Sequence, residues 1–297
     1  ETHVAELQKI LSKHHSVDIF SGSDADNLSK VLKGKFDIVI PTNGRMQALK
    51  MSIGRLIGGY KTIIAGHAGI GRDDLWNLVV TFPNVFVALT NLELKWANQR
   101  SWFGKVVKIP NGIDLSKFSP QGSKVKIDLS SPIVLSVGAL TWYKHHERTI
   151  EAVARLKNAS LLIIGTGPLK EQLEKLGWQK LGPERFKIIS ADYSKMPDYY
   201  RSAEVFTLPS WNREAFGIVY LEALASGLAV VAPDDDSRKE IVGQAGILVD
   251  TANAQEFSGA LQLAINKKWK DMPREQAKKF SWDQVADQYL KLFQEMM

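Results

Sequence analysis

SWNREAFGIVYLEALASGLAVVAP, residues 210–233, sets two carboxylates, Glu214 and Glu222, eight positions apart around a Phe-Gly-Ile step. Eight residues make about 2.2 helical turns, so both would share a face only if the whole segment were helical. The apolar run VFTLPS just before it reads as a strand, which puts Glu214 in the following loop and Glu222 a turn or more inside the next helix. The N–H groups of Phe216, Gly217 and Ile218 then form that helix's open N-terminus, a seat for an anion. With one carboxylate ahead of the amides and one behind, the segment suits a diphosphate carrying a sugar at each end.

Outward from this stretch, short β-branched runs alternate with helix-period segments. Strands are expected at 17–20 (VDIF), 36–40, 62–65, 84–89 and 105–109, and again at 133–137, 160–165, 186–190, 205–208, 228–232 and 246–249. They are continuously apolar rather than alternating, as in parallel strands buried on both faces. The rhythm predicts an α/β chain with two Rossmann-like, doubly wound parallel-sheet domains. Residues 109–132, with Pro110, Gly112, Pro120, Gly122 and Pro132, read as the linker. The expected domains are 1–112, 113–280, and a C-terminal helix at 281–297, capped by Ser281, that crosses back to the first domain. Glu1 opens directly inside a helix pattern, so the first domain is expected to lack its first strand. Ligands of such sheets collect in the cleft outside the strands' carboxyl ends.

Composition narrows the function. At 297 residues, 44% hydrophobic and 24% charged, the chain suits a water-soluble protein with two cores, and no apolar run reaches membrane-spanning length. Zero cysteines exclude disulfides and thiolate chemistry. The net charge of +6 fits a basic solvated surface or attraction to anionic partners. No basic run interleaved with aromatics marks a nucleic-acid module, so none is expected as partner. In 45–61 the apolar residues 46, 49, 53, 56, 57 and 60 are expected to pack on the first sheet, with a basic face on anionic lipid as the alternative. Asp234, Asp235 and Asp236 read as a solvated run, and Asn111 and Gly112 as a turn suited to positive φ.

VKIPNGIDLSKF, IVLSVGAL with Lys144 six residues after Gly138, LLIIGTGPLKEQL, EAFGIVYLEALASG and SRKEIVGQAGILV follow one another in order over residues 106–250. This series resembles the retaining glycosyltransferases of family four, group 1, which have the GT-B fold. IIAGHAGIG, with His67, resembles the family's active-site histidine loop more loosely. The resemblance implies transfer of a sugar from a nucleotide diphosphate sugar to a carbohydrate or lipid-linked acceptor. It implies no metal or other cofactor, the first domain on the acceptor side, and a cytoplasmic location, at the membrane face if peripheral association with anionic lipid holds. Glu214, His67 and Lys144 would be catalytic: Glu214 holding the donor sugar, His67 touching it from the other side, Lys144 neutralising the leaving pyrophosphate. Glu222 would take the ribose hydroxyls, and Gly138, Phe216, Gly217, Ile218, Gly165 and Gly167 would line the donor. The Gly-x-Gly of 165–167 serves a tight turn equally well. Ala139 stands where many members carry arginine, leaving Arg148, His145 or Arg72 to replace that cation. Two other readings stay open: a non-catalytic nucleotide-sugar-binding relic, and an epimerase or phosphorylase on the same fold.

Overall fold

The computed structural model describes residues 2–42 and 44–297; Glu1, where the sequence opens in a helix pattern, lies outside them. The chain divides into two units, Glu1–Gly112 with Arg213–Phe216 and Phe280–Met297, and Ile113–Asn212 with Gly217–Lys279.

In unit 1 the described strands are β1 (Ile38–Val39), β2 (Lys61–Ala65), β3 (Val85–Ala88) and β4 (Lys105–Lys108), parallel in the order β1-β2-β3-β4. The helices are α1 (Thr2–Leu11), α2 (Leu28–Gly34), α3 (Arg45–Gly58), α4 (Arg72–Val79) and α5 (Asn91–Asn98). β3 is buried at every position, which is why its sequence shows no alternation. Residues 17–20, expected as a strand, have no regular secondary structure and lie in no ladder. A β-branched run becomes a strand only where an edge accepts its N–H and C=O groups, and no described strand pairs with it.

Unit 2 carries β5 (Ile133–Val137), β6 (Ser160–Ile164), β7 (Phe186–Ile189), β8 (Val205–Thr207), β9 (Ala229–Pro233) and β10 (Gly246–Val249). The sheet is parallel in the order β10-β9-β8-β5-β6-β7. The order reverses between β5 and β8, so the loops leaving those two strands diverge at their carboxyl ends. Its helices are α6 (His146–Ala154), α7 (Lys170–Leu181), α8 (Met196–Arg201), α9 (Ile218–Ala225), α10 (Asp236–Val242), α11 (Ala254–Asn266) and α12 (Met272–Lys278). The core on one face joins Val134, Leu161, Ile163, Val205 and Val231 to Ile150, Val153, Phe257 and Leu261.

The last helix, α13 (Trp282–Met296), packs in unit 1. Its buried stripe of Trp282, Val285, Tyr289, Leu292, Phe293 and Met296 meets Leu7, Leu11, Ile63 and Val85. The Ser281 hydroxyl caps it, accepting from the Gln284 N–H at 3.3 Å. Gly112 does not adopt positive φ, contrary to expectation. A side chain there would strike the Trp282 ring, so close packing accounts for the glycine.

Candidate functional site

β8 ends at Thr207 and the chain crosses 208–217 before α9 begins. Gly217 sits at φ +81 and ψ 62, a left-handed turn that redirects the backbone into the helix without a side-chain cap. Gly217, Ile218 and Val219 are half-buried, and the first-turn amides of a helix have no partner within it. Phe216 turns its ring inward, 3% exposed and edge-on to Phe280 at 6.1 Å between centroids. The structure thus puts Glu214 in the loop and Glu222 one turn inside the helix, with the amides between them.

Glu222 is 3% exposed and accepts from the hydroxyls of Tyr200 at 2.8 Å and Tyr193 at 3.0 Å. Burial raises its pKa, and the two tyrosine bonds work against that rise. Tyr200 is fully buried, whereas Tyr193 is 41% exposed. Sequence reasoning missed both tyrosines: they come from the segment ahead of α8 and from α8 itself, and no spacing to Glu222 announces them.

At the other side of the switch point, the loop after β5 runs through Gly138 and Ala139 to a short 3₁₀ turn, Trp142–Lys144, that carries Lys144. The ring of Tyr143 lies 5.7 Å from the Lys144 ammonium. The loop is pinned to that following β6: Gly138 N–H donates to Ile164 C=O at 3.0 Å and Leu140 N–H to Thr166 C=O at 2.8 Å. A side chain on Gly165 would strike the Gly138 carbonyl, and one on Gly167 would lie 2.6 Å from the Leu140 carbonyl. The Gly-x-Gly pair is therefore demanded by the approach of two loops. Of the cations named to replace arginine, His145 is engaged with Glu147 at 2.9 Å, Arg148 stands in the first turn of α6, and Arg72 opens α4 in unit 1. His146, buried with Nδ1 at 3.2 Å from Ser136 Oγ, is pushed down to about 4 by burial and stays neutral.

Asp235 is not merely solvated. It caps α10, accepting from the Arg238 N–H at 3.0 Å, and pairs with the Arg238 guanidinium at 2.8 Å. Arg238 has no exposed surface and also donates to Ser210 Oγ at 2.7 Å and Trp211 C=O at 2.9 Å. This holds the strand-to-loop corner from which Glu214 departs. Among the described residues, no cluster of His, Asp or Glu could hold a metal ion.

In unit 1, His67 follows β2 in the loop 66–71 and borders a cavity of about 410 Å³. That cavity is also lined by Val17–Phe20 and by the outer edge of β1. His67 is exposed at the surface, while desolvation of its ring by the surrounding chain lowers its pKa from the usual value. Gly69 has φ +79, and a side chain there would collide with the Arg213 carbonyl. The glycine thus serves backbone approach to the 213–216 segment of the same unit, whereas Gly71, at φ 170 and ψ −159, is extended backbone that any residue adopts. Beneath the loop lies a carboxyl pair that the sequence reading did not see. Asp74 and Glu93 are 0% and 1% exposed. Asp74 accepts from Asn77 at 3.2 Å and from the amides of Ala68 and Gly69, and Glu93 accepts from the Leu89 N–H at 2.7 Å. Burial raises both pKa values, and the charge of Asp74 raises that of Glu93 further.

The family model "Glycosyl transferases group 1" matches residues 120–281, more than half of the chain. A phosphatidyl-myo-inositol mannosyltransferase of Mycolicibacterium smegmatis is 27% identical over 220 residues, 70% of this chain and 56% of that protein. The sulfoquinovosyl transferase SQD2 of Arabidopsis thaliana is 28% identical over 188 residues, 58% of this chain and 36% of its own. The chain spans about half the length, or less, of such relatives. Among solved structures, sucrose-phosphate synthase from Thermosynechococcus elongatus superposes with TM-score 0.75 at 21% identity, covering 92% of this chain and 78% of that one. Anabaena Alr3699/HepE in complex with UDP and glucose gives 0.75 at 18%, covering 97% and 89%. The fold of the chain is that of these two structures.

Proposed function

This chain belongs to the group 1 glycosyl transferases, and on that premise we propose that it moves a sugar from a nucleotide diphosphate sugar to a hydroxyl acceptor. The donor is UDP-, GDP- or ADP-linked, and the acceptor belongs to glycan, polysaccharide or glycolipid assembly at the cytoplasmic side. The observation that carries this reading is the left-handed Gly217 opening α9 between Glu214 and Glu222, at the carboxyl end of β8. The phosphatidyl-myo-inositol mannosyltransferase among its relatives supports a lipid acceptor, and the complex of HepE with UDP supports the donor class.

In this proposal the diphosphate rests on the first-turn amides of α9, with Lys144 offsetting the charge that grows as it leaves. Tyr200 holds the Glu222 carboxylate in place, and the more exposed Tyr193 yields its position to a ribose hydroxyl. Glu214 holds a hydroxyl of the donor sugar and puts negative charge near the developing oxocarbenium. The C1–O bond to the β-phosphate breaks while the acceptor oxygen bonds C1 from the same face, and its proton passes to the departing phosphate oxygen. Configuration is retained, and neither a metal nor a protein base is needed. His67 contributes a hydrogen bond to the donor sugar.

The test is a thermal-shift screen of UDP, GDP and ADP, then turnover with the matching nucleotide sugar. Glu214→Ala and Lys144→Ala are expected to lower kcat by about 100-fold or more while folding is kept. Unchanged turnover in both variants would remove them from the catalytic machinery. Ala139, at the position where an arginine would stand, is the observation that favours a non-catalytic relic; in that case none of the three nucleotides shifts the unfolding midpoint.

A further inference from the structure

His67 stands on a loop that is gripped on both sides of it. Just ahead, Gly66 donates its N–H to the Val87 carbonyl at 2.9 Å, and a side chain on Gly66 would strike the Glu93 carboxyl. Just after, the amides of Ala68 and Gly69 donate to the Asp74 carboxyl. The two acids come from different helices, Asp74 from the first turn of α4 and Glu93 from the first turn of α5. Both carboxyls therefore meet the one loop, at the residues flanking the imidazole.

Neither acid is explained by its helix alone. Thr90 Oγ1 caps α5 by accepting from the Glu93 N–H at 3.2 Å, and Glu93 Oε2 accepts from the Leu89 N–H at 2.7 Å. The other Glu93 oxygen, Oε1, abuts Gly66. A capping glutamate does the same work at the surface, where its charge stays hydrated, whereas this one is 1% exposed and Asp74 0%. Burial disfavours both charged forms, so the pair is a poor stabiliser where it lies. Buried acids kept at such a cost beneath a loop that carries a candidate site residue point to the loop as their purpose.

We propose that Asp74 and Glu93 are positioning residues for sugar transfer, holding the chain on either side of His67 and thereby setting where its imidazole meets the donor sugar. Neither acid is exposed enough to touch substrate itself. This role rests on the reading of His67 as a hydrogen-bonding partner of the donor sugar. Displacing such a partner by about an ångström weakens its hold on the transition state, so the loss falls on kcat.

The test is steady-state turnover of the full chain with the nucleotide sugar that the wild type uses, for four variants, each also combined with His67→Ala. Glu93→Met fills the space without a polar head, and Asp74→Ala removes the acceptor of the two amides. Each is expected to lower kcat at least about tenfold, with the donor KM within about twofold and the unfolding midpoint showing a folded chain. Glu93→Gln and Asp74→Asn, which keep a polar head of the same shape, should stay within about threefold of the wild type. In the His67→Ala background the two disruptive changes should cost less than about twofold more, since a residue acting through His67 has nothing left to position. A merely structural role adds its full loss in that background, and that result overturns the proposal. So does an unchanged kcat in both Glu93→Met and Asp74→Ala.

A second measurement needs no turnover. With histidines labelled with carbon-13, the NMR line of His67 is identified by its absence from His67→Ala. It should shift in Glu93→Met and Asp74→Ala and hold its place in Glu93→Gln and Asp74→Asn, while the lines of the other histidines stay put. Absence of wild-type turnover with a shifted His67 line overturns the transferase reading alone. Turnover with an unmoved line in both disruptive variants overturns this proposal alone.

Discussion

Glu93 and Asp74 make the sharpest residue-scale prediction. Burial raises both pKa values above those of the unfolded chain, so the folded protein holds a proton that the unfolded chain has released. That contribution is complete below the ordinary carboxylate range and is lost as pH rises through the folded values. Unfolding free energy from urea titrations should fall with rising pH by up to about 1.4 kcal/mol per unit. Glu93→Gln removes the ionisable group with the larger rise and should flatten that slope; an equally steep slope in the variant would show that Glu93 is not its source. Arg238→Met strips a fully buried guanidinium from Asp235, Ser210 and Trp211, and should cost about 3–5 kcal/mol by the same titration. Glu222 was legible from its motif, but its tyrosine partners were not, because hydrogen bonds between separate elements leave no local pattern.

At the scale of the element, α9 and α3 behave oppositely. The segment 210–233 announced α9 and its glycine start because those depend on local rules: an apolar strand, a residue free of side-chain hindrance, then helix formers. Gly217→Ala should cost about 1–2 kcal/mol for the left-handed conformation and weaken nucleotide binding in calorimetry, by tilting the first-turn amides. Unaltered binding would detach those amides from the phosphates. For α3 the periodic stripe was read correctly as a stripe and wrongly as the buried face. Periodicity gives the angle of a face around the helix and says nothing about which side the sheet occupies. Here small and polar residues allow the close approach to α2 and Tyr60, and the larger side chains are left outside.

Across the whole molecule, the C-terminal helix belongs to the core of unit 1 although it follows unit 2 in sequence. Phe293→Ala should lower the stability of that core by about 3–5 kcal/mol. Amide hydrogen exchange would localise the effect: faster opening of β3, with β6 in unit 2 unaltered. Equal acceleration in both sheets would show that the two cores unfold as one. The 17–20 run marks the limit of strand reading at this scale, since a strand is defined by a partner and the apolar composition of VDIF does not supply one.

By itself the sequence determined the class of the fold, the family and the segment carrying Glu214, Gly217 and Glu222. Continuous apolar runs, glycine steps and helix periods are properties of neighbours along the chain, and so is a motif. Only the tertiary structure decided that Asp74 meets Glu93, that two tyrosines hold Glu222, and that the stripe of α3 faces outward. Each of these rests on which surfaces meet when distant segments pack, and packing selects among orientations that are equally good locally.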